Sequence, residues 1–157
     1  MTTGTATPLL DGLVGFLRDD GWPVDLPPGQ VPNVTTRCAG STAEWSCTGR
    51  TFEQQGQVVF DSQMPFTVPD DRRPGIALLL GHANWSLHTG AFAIDPVAGH
   101  VRLRTSLVST SKEPLPAPAA KALVYANVLI VDRCLPTLQA AVSGSLGVAE
   151  ALAQLAL

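Results

Sequence analysis

The chain has 157 residues, 45 % of them hydrophobic and only 15 % charged, with a formal net charge of −3 at pH 7. A single domain of that length buries about two thirds of its unfolded surface, so no second domain is required, and the acidic balance argues against a broad nucleic-acid surface built from clustered Lys and Arg. A charged share well under the roughly 25 % of an average domain leaves neutral surface for self-association or a partner.

Met1 to Thr7 lacks the basic start and apolar run of a signal peptide and reads as a disordered tail, residues 1–7, ahead of one domain over residues 8–157. The expected location is cytoplasmic. Leu9, Leu10, Leu13, Val14 and Leu17 share one helical face, with Asp11, Arg18, Asp19 and Asp20 largely off it, and Gly21 stops the helix. Pro23, Pro27, Pro28 and Pro32 then keep the chain extended. Val34 to Cys38, Glu44 to Glu53 and Gln57 to Gln63 read as strands, with Trp45, Phe52, Val58 and Phe60 expected to be buried. If Gly40 to Thr42 turns the chain, Cys38 falls opposite about Glu44 and Cys47 lies on the other face, which argues against a disulfide between them. Three cysteines without a C-x-x-C pair fit a reducing compartment.

Val68-Pro69-Asp70-Asp71 reads as a helix start with Asp70 as cap, and Asp70-Asp71-Arg72-Arg73 as that cap followed by solvated arginines. Ile76, Leu79, Leu80 and Ala83 form the buried stripe of this helix. Phe92 and Ile94, then Val101, Leu103 and Leu107, alternate with polar or small residues and predict a half-buried hairpin, reversed over Pro96 to Gly99. After a polar crossover from Ser109 to Pro118, Ala119 to Asp132 predicts a helix with Leu123, Ala126, Ile130 and Val131 inward. Pro136 offers no N–H to the Asp132 carbonyl, so a bend or break is expected near Arg133, with Leu135 to Val142 continuing the helix. Gly144 and Gly147 interrupt it before a short terminal helix from Val148 to Leu155. The longest apolar run, Ala122 to Val131, falls short of the ~20 residues a bilayer requires.

The run Asn84-Trp85-x-Leu87-x-x-Gly90-x-Phe92-x-x-Asp95, with Gly99 and then Val101-Arg102-x-Arg104-Thr105-x-Leu107, resembles the signature of the YbjN superfamily, the so-called bacterial sensory transduction regulators. The likeness continues through Asn127, Val131-Asp132-Arg133, Pro136 and Gly144. It implies the architecture of type III secretion chaperones, in the order α-β-β-β-α-β-β-α with a further short helix. It also implies dimerisation and the binding of other proteins. The expected class is therefore α+β, an antiparallel sheet of about five strands with helices packed on one face.

His82, His88 and His100 with Cys38, Cys47 and Cys134 match no metal spacing, and no G-x-S-x-G, P-loop or G-x-G-x-x-G occurs, so neither metal, cofactor nor catalysis is expected. The reading that follows is a non-enzymatic protein-binding module, chaperone-like or regulatory, acting as a homodimer on a protein client. Leu9, Leu13, Phe16 and Leu17 are the candidate client contacts, or else ordinary core. The alternative is a small-molecule or anion sensor, or an enzyme, with a pocket lined by Trp45 and Trp85 and with Arg102 and Arg104 as anion anchors. Those arginines could equally solvate a sheet face or pair with acids. Of the family-pattern residues, Asn84, Trp85 and Asp95 read first as a helix-end amide, a buried indole and a turn carboxylate. Asp132 and Arg133 read as a polar link or an interface pair.

Overall fold

A computed structural model describes residues 6–155. The elements are α1 (Pro8–Asp19), β1 (Asn33–Ala39), β2 (Glu44–Phe52), β3 (Gln57–Thr67), α2 (Arg73–Ser86), β4 (Ala91–Ile94), β5 (His100–Val108), α3 (Ala117–Ser143) and α4 (Val148–Gln154). The strands form one antiparallel sheet in the order β1-β2-β3-β5-β4. This is the expected α+β arrangement. Of the tail expected over residues 1–7, only Ala6 and Thr7 are among the described residues, and the Thr7 carbonyl already accepts the Asp11 N–H.

Burial alternates along the strands as a sheet covered on one side requires. Val34, Thr36 and Cys38 of β1, Trp45 and Cys47 of β2, Val58 and Phe60 of β3, and Val101, Leu103 and Thr105 of β5 are buried. Their neighbours point to the open face. All four helices contribute to the same core, which includes Leu13 and Leu17 of α1, Leu79 of α2, Leu135 and Leu138 of α3 and Ala151 of α4.

Side chains distant in sequence fix the helix ends. The Glu53 carboxylate, just past β2, accepts the free N–H groups of Leu9 and Leu10 at 3.1 and 3.1 Å, so the positive end of α1 is capped from the sheet. At the far end of α3, Gly144 takes φ +81°, which L side chains rarely adopt, and the Arg72 guanidinium lies against it within reach of the Ala141 carbonyl. A cation thus meets the negative helix terminus.

Several expectations need correction. The β1–β2 turn spans one more residue than assumed, so Cys38 pairs with Trp45 and Cys47 with Thr36. A one-residue slip exchanges the two faces. Cys38 and Cys47 therefore share the buried face, and both, like Cys134, are free thiols. Phe52 is 37 % exposed, because the alternation that puts Trp45, Cys47 and Thr51 inward sends it outward. Strand β3 runs on to Thr67, with an irregularity in its pairing between Gln63 and Thr67. Asp70 makes no capping hydrogen bond and instead pairs with Arg73 across a 3₁₀ turn that leads into α2. Helix α3 is unbroken through Pro136, and no break occurs at Arg133.

Candidate functional site

The corner between α2 and the β4–β5 hairpin holds most of the singled-out residues. Asn84, in the last turn of α2, donates its Nδ2 to the Phe92 carbonyl at 3.0 Å and accepts the Phe92 N–H on Oδ1 at 2.7 Å. Strand β4 is the last of the sheet, and these two groups point away from its partner β5. One amide side chain therefore closes the outer edge of the sheet where a further strand would otherwise pair. Phe92 itself is buried.

The hairpin tip is fixed by one carboxylate. Oδ1 of Asp95 accepts the N–H groups of Val97 and Ala98 at 2.8 and 3.1 Å, which is the local bonding that makes Asp a turn residue. Those two bonds hold the Asp95 carboxyl below its usual value. Gly99 takes φ +76°, and a Cβ there would lie 2.3 Å from the Val68 carbonyl oxygen, so the position requires glycine. Arg73 locks the arrangement from α2: Nε donates to Val68 and Nη1 to Val97, at 3.0 and 2.9 Å. The expected solvated arginines are thus structural clamps, Arg73 on this turn and Arg72 on the end of α3.

Trp85 departs from expectation. It is 90 % exposed, not a buried indole, because Asn84 and Ala83 take the inward positions at the end of α2. Trp45 is buried and donates its indole N–H to Ser62 at 3.0 Å. The two tryptophans therefore do not line a common pocket. Cys47 lies beside the same Ser62 hydroxyl, and burial pushes its thiol up to about 12; burial likewise pushes Cys134 to about 11.

Arg104 is already engaged. Its Nε and Nη2 donate to both oxygens of Asp61 at 2.7 and 2.8 Å, and Arg50 pairs with the same carboxylate from the other side. Burial alone would raise the Asp61 carboxyl. Hydrogen bonds from Arg104 and Arg50, with the charges of Arg104 and Arg102, outweigh it and hold the group below its ordinary value. Arg102 points from the same face and is exposed.

Leu9, Leu13, Phe16 and Leu17 are 2 %, 0 %, 8 % and 0 % exposed, so the stripe of α1 is packed into the core. Asp132 accepts the backbone N–H and the hydroxyl of Ser41 at 2.7 and 3.0 Å, tying α3 to the β1–β2 turn. Pro136 sits on the outer side of α3, and Gly90, at φ +81°, leads into β4. Among the described residues, no three His, Cys, Asp or Glu side chains converge as metal ligands, and no helix is long and apolar enough to cross a membrane.

Sequence reasoning missed Arg50 and Asp61, misread Arg73 as a solvated arginine, and named Asn127 in the family pattern without giving it a role. Asn127 is fully buried, and its amide nitrogen reaches the carbonyls of Phe60 and Leu103 at 2.8 and 3.1 Å, pinning α3 to β3 and β5. A polar residue inside an apolar helical run was the available signal.

The structure also exposes a surface the sequence did not single out. Ala77, Leu78, Gly81, His82 and Trp85 follow helical spacing along the outer side of α2, and all are exposed, Leu78 at 66 %. No Asp, Glu, Lys or Arg occurs between Pro74 and Ser86. A helix that is apolar on both sides is ordinarily covered on both.

No curated protein matches the chain. Its fold is similar to the crystal structure of YbjN from E. coli, described as "a putative transcription regulator", with a TM-score of 0.62 over 87 % of this chain and 94 % of that one. The two share 15 % sequence identity, so this likeness concerns the fold alone. A family model, "YbjN: Putative bacterial sensory transduction regulator", matches residues 10–139. With that match covering most of the sequence, the chain belongs to the YbjN family.

Proposed function

We propose that this chain is a non-enzymatic, protein-binding regulator that pairs with a second copy of itself and engages a protein client in the cytoplasm. The observation that carries the reading is the uncharged outer face of α2 with Trp85 almost fully exposed. An indole offers about 200 Å² of contact area, and tryptophan is enriched among the residues that dominate interface energetics. Gly81, midway along this face, supports a helix-on-helix contact. A Cβ there would meet nothing within 4 Å. The chain's own packing therefore does not require glycine, which costs a helix about 1 kcal/mol relative to alanine.

Two α2 helices crossing antiparallel at Gly81 would approach closely at the glycines. Leu78 of one copy would then sit near Trp85 of the other, which is the self-complementary contact a two-fold axis demands. The charged residues support a non-catalytic role, since Asp61, Asp95 and Asp132 each hold neighbouring groups in place.

Light scattering on the wild type, Trp85→Ser and Gly81→Glu tests the pairing. The expected result is a dimer for the wild type and monomers with near-unchanged melting for the variants. A wild type that is monomeric at tens of micromolar would refute self-association, and a dimeric Trp85→Ser would move the interface elsewhere. Capture from native lysate with the wild type and the Trp85→Ser variant, followed by mass spectrometry, tests for a client.

A further inference from the structure

The open face of the sheet is built in rows. Antiparallel register sets Ser46, Gln63, Arg102 and Ala93 side by side, and the adjoining row holds Thr48, Asp61, Arg104 and Ala91. Arg50 reaches Asp61 from the next position along β2 on that face. Three guanidinium groups therefore surround one carboxylate, on a chain whose formal net charge is −3.

The donors are only partly used. Asp61 takes Nε and Nη2 of Arg104 and Nη2 of Arg50, leaving Nη1 on each. Arg102 makes no hydrogen bond or ion pair among the described residues, and Gln63 beside it is exposed. On the β4 side the neighbours are only Ala91 and Ala93, both exposed, so a low shelf runs alongside the two arginines. A cleft of about 370 Å³ continues from Gln63 and Arg102 to His100 and Asp95. Asp95 also lines this cleft, with its Oδ1 committed to the hairpin turn.

We propose that this face binds an extended acidic segment of a protein client, with carboxylates at alternate positions on Arg102 and Arg104. Alternate residues of a strand lie about 6.6–6.8 Å apart on one face. An extended peptide repeats its side chains at the same interval, so acids at every second position match the two guanidinium groups in register, and the alanine shelf accommodates its backbone. Guanidinium forks suit carboxylates. Asp61 holds Arg104 in place and also competes with the ligand for it. A nucleic acid is a poorer occupant, because its affinity comes from many simultaneous phosphate contacts and from aromatic platforms for the bases, whereas this site offers three cations flanked by alanines. The inference rests on the reading that the client is a protein, and it adds which face the client meets and the chemistry of the segment that meets it.

The test is fluorescence polarisation of the full chain at low salt with a labelled Glu-Ser repeat peptide, a Gln-Ser repeat of equal length, and a single-stranded oligonucleotide. The expected result is binding of the Glu-Ser peptide alone, weakened about tenfold by Arg102→Ala, restored in part by Arg102→Lys, and strengthened by Asp61→Asn, which frees Arg104 and Arg50. A merely structural Asp61 would give the opposite sign in that last variant. Melting curves accompany each variant, and Arg102, exposed and unpaired, can be changed without disturbing the core. Equal binding of the Gln-Ser peptide, undiminished affinity in Arg102→Ala, or preference for the oligonucleotide overturns the proposal. If Glu-Ser binding is absent while Trp85-dependent pairing or client capture persists, this inference fails and the protein-binding reading stands.

Discussion

Replacing Asn84 by alanine isolates the contact that closes the sheet edge. The substitution removes two hydrogen bonds, of 3.0 and 2.7 Å, to the backbone of one residue whose side chain is buried. A hydrogen bond of this type contributes about 0.5–1.5 kcal/mol net, and a donor or acceptor left facing a poorly hydrated edge costs somewhat more. Asn84 is only half-buried, so water can partly replace it, and the expected loss is about 2 kcal/mol. For a chain of this size that lowers the melting temperature by about 4–8 °C. Urea denaturation gives the free energy, and amide exchange adds a local readout, because the Phe92 N–H should lose protection more than its strand neighbours. Asn84→Asp keeps the acceptor for Phe92 N–H but sets an oxygen against the Phe92 carbonyl, so it should be no more stable than the alanine variant. A stability change under about 0.5 kcal/mol in Asn84→Ala, with Phe92 exchange unaltered, would refute the edge-closing role.

Asp61→Asn should lower stability at neutral pH by about 1–2 kcal/mol, a modest value because its arginine partners are about one third exposed. The native Asp61 carboxyl is held below its ordinary value, so its contribution is present above about pH 4 and is lost as pH falls through the folded value. The wild-type advantage over Asp61→Asn, followed by urea midpoints from pH 7 to pH 2, should therefore shrink on the acid side; a constant gap would sink the argument. Cys47, 1 % exposed and pushed up to about 12, should resist a disulfide-exchange reagent at pH 8 until the protein opens, and rapid labelling of Cys47 in the native state would contradict its placement.

Local pattern determined the order of elements. The apolar stripe of α1, the alternation of Phe92 and Ile94 with their neighbours, and the reversal from Pro96 to Gly99 each follow from the 3.6- or 2-residue periods and from turn chemistry, which need no distant partner. Side-chain chemistry alone reads Asn84 as a helix-end amide and Asp95 as a turn carboxylate; in the structure Asn84 bonds the Phe92 backbone and Asp95 accepts the Val97 and Ala98 N–H groups.

Only tertiary structure decided which partner each polar group meets. Arg104 finds Asp61 43 residues away, and Glu53 caps α1 through the N–H of Leu9, 44 residues earlier, because pairing of this kind depends on strand register and on how helices lie across the sheet. One extra residue in the β1–β2 turn brought Cys38 and Cys47 onto the same face, a consequence no local preference encodes. Trp85 is the clearest case. Side-chain chemistry reads it as a buried indole, yet α2 turns Ile76, Leu79, Leu80 and Ala83 toward the core and Asn84 toward Phe92, which leaves Trp85 facing outward. The sequence thus set the parts and their order, while the packing of α2 against β4 chose which apolar surface remained open.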